Sequence, residues 1–156
     1  MKRTIIPAIT LILMSICLTA CVTEKTRSTI LSKLESNDII QDDWEYLDYD
    51  VQDASPIPDI FRYNYYYEDA DDIIYKVAIE GSVSKNDEHD LYYPVTVYDN
   101  LEAYKTEETY TDSETDTTKT RTVTKYKETD TSTSVRYRAY KHEFLFFFTI
   151  WDIEEA

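Results

Sequence analysis

IIYKVAIEGSVSKNDEHDLYYPVTVYD, residues 73–99, decides how the chain folds. Ile73, Tyr75, Val77, Ile79 and Val83 fall on one side of an extended backbone, and Lys76, Glu80 and Ser82 on the other. After the polar run KNDEHD, Leu91, Tyr93, Val95 and Val97 again share one side. An apolar period of two marks a half-buried strand, and two such runs about a polar turn mark an antiparallel hairpin. Pro94 has no N–H to give to a ladder, so it marks an edge or a bulge.

Outward from this hairpin the strand signal continues. Residues 101–111 read as a third strand, the polar DSETDT follows, and then come 118–127 and 133–153. The last segment contains neither glycine nor proline, so it is one long bent strand or two. Its run FLFFFTIW (144–151) is apolar on both faces, which places it as a central strand covered on both sides. Upstream, STILSKLE (28–35) sets Ile30, Leu31 and Leu34 at helical spacing, with Ser28 or Thr29 as the cap, and predicts a helix over 28–36. Residues 39–51 support two readings. Ile40, Trp44, Leu47 and Val51 suit a helix, whereas Trp44, Tyr46 and Asp48 alternate like a strand. Pro56 and Pro58 in ASPIPDIF end whatever precedes them. The expected fold is mainly β, an antiparallel sheet with an N-terminal helix (α+β). A small β-sandwich or barrel is the alternative.

Composition narrows the chemistry. The chain has one glycine, Gly81, in 156 residues, whereas phosphate-cradling loops, dinucleotide fingerprints and nucleophile elbows need several. Fifteen tyrosines and many threonines agree with strands.

The N-terminus carries an address. Met1-Lys2-Arg3 is followed by Thr4–Ala20 without a charge, and the chain turns polar at once after Cys21. A basic start, an apolar run and a small residue at the boundary form a secretory signal. A membrane-spanning helix needs about 20 apolar residues, and this run is shorter and is interrupted by Pro7. An ordinary cut after Ala20 would place Leu18 where a small residue is required. Leu18-Thr19-Ala20-Cys21 instead resembles the lipobox of bacterial lipoproteins. That resemblance covers residues 1–21 and implies a diacylglyceryl thioether on Cys21, cleavage before it, and acylation of the new amino group. By the same analogy Val22, in the position where Asp favours inner-membrane retention, points to the outer membrane of a two-membrane cell. The implied organisation is a signal peptide over 1–20, a lipidated tether over 21–27 and a single mostly β domain over 28–156. Cys17 lies in the segment to be removed, so Cys21 would be left without a disulfide partner.

Charge is uneven. Two of the 16 bases and none of the 31 acids precede Val22, so the remainder carries 14 against 31, a net of −17. Such a balance argues against general nucleic-acid binding. Yet residues 118–142 hold seven bases (Lys119, Arg121, Lys125, Lys127, Arg136, Arg138, Lys141) against Glu128 and Asp130. A hairpin pairing Lys127 with Ser132 would gather six of these bases on one face. That face would serve as a docking site for an anion, or it would pair with the protein's own acids.

Other candidates are weaker. EDADD (Glu68–Asp72) and the group Asp112, Glu114 and Asp116 are carboxylate clusters without the glycine of a calcium-binding loop. His89 and His142 are not at metal-ligand spacing, and His142 could join a serine and an aspartate only through the fold. The tyrosines of YNYYY (Tyr63–Tyr67) and Tyr92–Tyr93 suit either a binding surface or a half-buried sheet. No catalytic residue, cofactor or metal is expected. The leading expectation is a non-catalytic, membrane-anchored binding or accessory component with an envelope protein partner. A ligand-, lipid- or polysaccharide-binding lipoprotein comes second, and an envelope hydrolase third.

Overall fold

The computed structural model describes residues 22–53, 61–88, 90–144 and 148–156. Cys21, His89 and the centre of FLFFFTIW lie outside them. Helix α1 spans Glu24–Ser36. It begins four residues before Ser28 because Thr23 is the cap: its side chain accepts the Thr26 N–H at 3.1 Å. Asn37 and Asp38 close the other end by donating to the Lys33 and Glu35 carbonyls, and Asp38 takes the left-handed conformation (φ 56°). Val22 is buried, so the expected tether is folded onto the domain from its second residue onward.

Eight strands follow: β1 (Glu45–Asp53), β2 (Phe61–Glu68), β3 (Ile74–Glu80), β4 (Ser84–Lys85), β5 (Leu91–Asp112), β6 (Thr117–Lys127), β7 (Ser134–Phe144) and β8 (Phe148–Glu155). They form an antiparallel open sheet in the order β1-β2-β3-β5-β7-β8, with β4 and β6 also paired to β5. The mainly β, α+β expectation holds. The ambiguous 39–51 stretch resolves as strand from Glu45, with its register shifting between Tyr46 and Asp48. In the predicted hairpin Ile79 stands opposite Val95 and Val77 opposite Val97, which brings the two apolar faces together.

Three expectations are corrected. The third strand is a continuation of the second: β5 runs 22 residues. Its first part lies between β3 and β7; past Asn100 (φ 50°) Leu101 still faces Ile74 of β3, and from Glu102 it pairs with β6 alone, in register from Glu102–Lys127 to Asp112–Thr117. These eleven pairs make a two-stranded arm about 35 Å long. The β6–β7 hairpin does not form either, because so long a β5 offers each strand its own partner: β7 pairs with the first part, Tyr92 opposite Tyr140. Finally, the described ends of FLFFFTIW are not one central strand: Phe144 closes β7 and stands opposite Phe148, which opens β8, and β8 is an edge. An apolar run alone does not distinguish a covered strand from the adjoining ends of two paired strands.

The core lies between α1 and one face of the sheet. Ile30 and Leu34, both fully buried, cluster with Val77, Ile79, Val95, Ala139 and Trp151. Tyr67 belongs to the same cluster, and burial pushes its hydroxyl up to about 12. Gly81 sits where a Cβ would fall 2.6 Å from the Phe61 carbonyl oxygen, so the one glycine is required by close backbone approach.

Candidate functional site

The sheet face away from α1 is polar, and register assembles it. Arg62 stands opposite Glu80, Lys76 opposite Tyr98, Thr96 opposite Arg136, and Pro94 opposite Arg138. Alternation then puts Arg62, Glu80, Tyr92, Thr96, Tyr98, Arg136 and Arg138 around one cleft of about 340 Å³. Glu80 Oε1 accepts both Nε and Nη2 of Arg62 at 2.8 Å. Arg138 lies over the Tyr92 ring, 5.4 Å from its centroid. The Tyr140 hydroxyl first, and Tyr92 after it, favour the charged form of its guanidinium. Arg138 Nε is nevertheless buried without a hydrogen-bond acceptor. Arg136 is exposed and has no carboxylate partner among the described residues.

Beside the cleft two buried polar groups tie the strands together. Lys76, 8% exposed, donates to Glu128 Oε1 at 2.6 Å and lies 3.9 Å from the Tyr98 ring centroid. Asn64, fully buried, and Tyr66 donate to the two carboxylate oxygens of Asp50 at 2.6 and 2.9 Å. Burial, then the bond to Asp50, raises the Tyr66 hydroxyl well above its ordinary value. The Tyr66 ring stacks on Tyr126, centroids 4.5 Å apart, which fixes the base of the arm against this face.

The predicted basic residues are thus divided. On the arm Lys119 pairs with Asp112, Arg121 and Lys125 with Glu108, and Lys127 with Glu102. These four serve the protein's own acidic surface. Lys141 pairs with Glu143 beside it on β7. Only Arg136 and Arg138 reach the cleft, and they are joined by Arg62, which the sequence pattern did not single out. The β2–β3 register was the missing information.

The carboxylate clusters build turns. Asp69 Oδ1 accepts the Asp71 and Ile73 N–H groups, and its Oδ2 accepts the Tyr75 hydroxyl. Those backbone bonds, the one from Ile73 first, hold its carboxyl below the usual range. Asp112 accepts the Glu114 N–H at the arm's tip. Among the described residues no group of three or more acids, histidines or cysteines could hold a metal ion. His142 stacks on Tyr140 and lies 3.7 Å from Asp152. Of the tyrosine run, Tyr63 and Tyr65 pack toward α1, whereas Tyr66 faces the cleft side. No protein-family model matches the chain, and no curated protein and no solved structure matches it either.

Proposed function

We propose that the protein is an envelope lipoprotein, held to the membrane through Cys21, and that it is a non-catalytic binding component. Its arginine–tyrosine cleft takes an anionic group, carboxylate or phosphate, from its partner. The observation that carries the binding part is a contrast in how the bases are used. Each of the four bases on β6 has a carboxylate of β5, whereas in the cleft Arg136 lacks one among the described residues and Arg138 Nε is buried without an acceptor. An incoming anion would supply that acceptor, and a charge-assisted bond of this kind contributes about 1.5–3 kcal/mol.

The aromatic rings favour an acidic protein segment over a glycan. Arg138 lies over the Tyr92 ring and Lys76 over that of Tyr98, so one face of each ring is already taken by a cation and closed to a sugar. The anchor rests on the lipobox-like Leu18–Cys21, and two acyl chains are enough for stable retention.

Titration with a glutamate-rich peptide, and in parallel with oligogalacturonate, tests the cleft. The peptide is expected to bind the wild type in a salt-sensitive way and the Arg136→Ala/Arg138→Ala variant at least about tenfold more weakly. Equal affinity for both proteins would refute the reading, and preference for the oligosaccharide would transfer it to a glycan partner. For the anchor, Cys21→Ala is expected to release the protein from the membrane fraction. Unchanged retention would rule out attachment through that sulfur.

A further inference from the structure

The chain enters the fold without slack. The Val22 N–H donates to the Gly81 carbonyl at 3.2 Å, and the Gly81 N–H donates to the Phe61 carbonyl. The Val22 carbonyl accepts from Arg27 Nη1 at 3.3 Å. Arg27 lies 4.0 Å from the Tyr63 ring centroid and donates from Nε to the Tyr65 hydroxyl at 3.1 Å. Residue 21 is therefore one step, about 3.8 Å between Cα atoms, from a residue fixed to the sheet on one side and to α1 on the other.

An apolar patch adjoins this entry point. On the α1 side of β1 and β2, Phe61 is 38% exposed, Val51 46% and Tyr49 36%. Val51 stands opposite Tyr63 and Tyr49 opposite Tyr65, so these side chains are neighbours on one face of an edge strand. Edge strands in water are normally blunted by charge. β1 has its acids, but on this face it exposes Tyr49 and Val51, and Phe61 of the neighbouring β2 lies two hydrogen bonds from the Val22 backbone, through Gly81.

We propose that the patch is a bilayer contact. With lipid on Cys21, Phe61, Val51 and Tyr49 lie at headgroup depth in a zwitterionic leaflet and set the orientation of the whole domain. This rests on the reading of Cys21 as the lipid-bearing residue. The acyl chains hold that sulfur at the membrane surface, and the absence of slack after it holds Val22 there too. Tyrosine and arginine suit the interface because each joins an apolar body to a polar tip. The net charge of −17 disfavours an anionic surface. The opposite face of the sheet, with its arginine cleft, is then turned away from the bilayer.

The test uses the lipidated full-length protein in phosphatidylcholine vesicles. Cleavage before Cys21 removes Cys17, so Val51→Cys and, at the arm's tip, Thr117→Cys each create one site for a spin label. Collisions with oxygen and with a water-soluble nickel chelate report the depth of each label. The label at 51 is expected to be shielded from the chelate several-fold more than the label at 117. Adding Phe61→Asp should abolish that shielding while the protein still sediments with vesicles, and its melting temperature checks that the fold survives. A lipidated chain whose label at 51 is as open to the chelate as the label at 117 overturns the orientation and leaves the anchor standing. A mass spectrum showing Cys21 unmodified removes both.

Discussion

Breaking the Lys76–Glu128 pair from its two ends should have unequal effects. The Lys76 side chain is 10% exposed and the Glu128 side chain 51%. Removing the lysine returns a half-exposed carboxylate to water at little cost, whereas removing the glutamate strands a buried ammonium. Breaking a fully buried pair costs about 3–5 kcal/mol and an exposed one about 0–1. With one partner in each situation, Glu128→Ala should cost about 2 kcal/mol, a value held down by the Tyr98 ring, which keeps about 1 kcal/mol of cation–π attraction. Lys76→Met fills the same path with an apolar chain and should cost under about 1 kcal/mol. Once the ammonium is absent, adding Glu128→Ala should change almost nothing, so the double variant should resemble Lys76→Met. Urea unfolding reads each difference as a shift in midpoint at constant slope. A loss of about 2 kcal/mol corresponds to roughly 8 °C in melting temperature for a domain of this size. The reasoning fails if Lys76→Met destabilises as much as Glu128→Ala, or if the two losses simply add.

Gly81→Ala should cost about 2 kcal/mol in the same assay, because the new methyl group meets the Phe61 carbonyl, which cannot swing away. Asp50→Ala should cost a similar amount, about 2 kcal/mol, by leaving the Asn64 amide and the Tyr66 hydroxyl buried without their shared acceptor; Asp50→Asn should recover part of it. The arm should loosen in acid before the rest of the sheet. Lys125 first lowers the Glu108 carboxyl, and Lys119 first lowers that of Asp112, below their ordinary values of 4.5 and 3.8. Their contribution is complete above those values and is lost as pH falls through the lower folded ones. Lys125, raised by Glu108, loses its share only as pH climbs through a value above 10.5. The protection of the Thr118–Thr124 amides, taken relative to their intrinsic exchange rates at each pH, should therefore fall at low pH and stay level through neutrality, and a loss of protection beginning near pH 7 would contradict the assignment.

Sequence pattern made the central hairpin legible because burial on one face imposes a period of two. Val77, Ile79, Val95 and Val97 announced both the strand type and the side that α1 covers. The length of β5 was hidden. Asp99 and Asn100 read as the gap before a third strand over 101–111, yet the left-handed Asn100 and a register shift between Ile74 and Lys76 of β3 let one strand leave the sheet without ending. From that single misreading followed the wrong partner for β6 and the wrong neighbours for the basic residues. The cleft was half visible, through Arg136 and Arg138. Arg62, Glu80 and Tyr98 join it only through pairings between distant strands, and no local periodicity encodes those. The early start of α1 was within reach, since Thr23 can cap as well as Ser28. Ile30 and Leu34 marked the buried stripe and not the helix's first turn.

Because β5 is one unbroken strand, the floor of the cleft and the tip of the arm belong to the same rod. Pro94, Thr96 and Tyr98 lie at one end, and Asp112 lies some 14 residues beyond Tyr98, about 45 Å of extended chain. No loop stands between them to absorb a twist. A partner grasping the arm would hold a lever whose fulcrum is the Tyr66–Tyr126 stack, and torque applied there would reach the arginines as shear between β5 and β7.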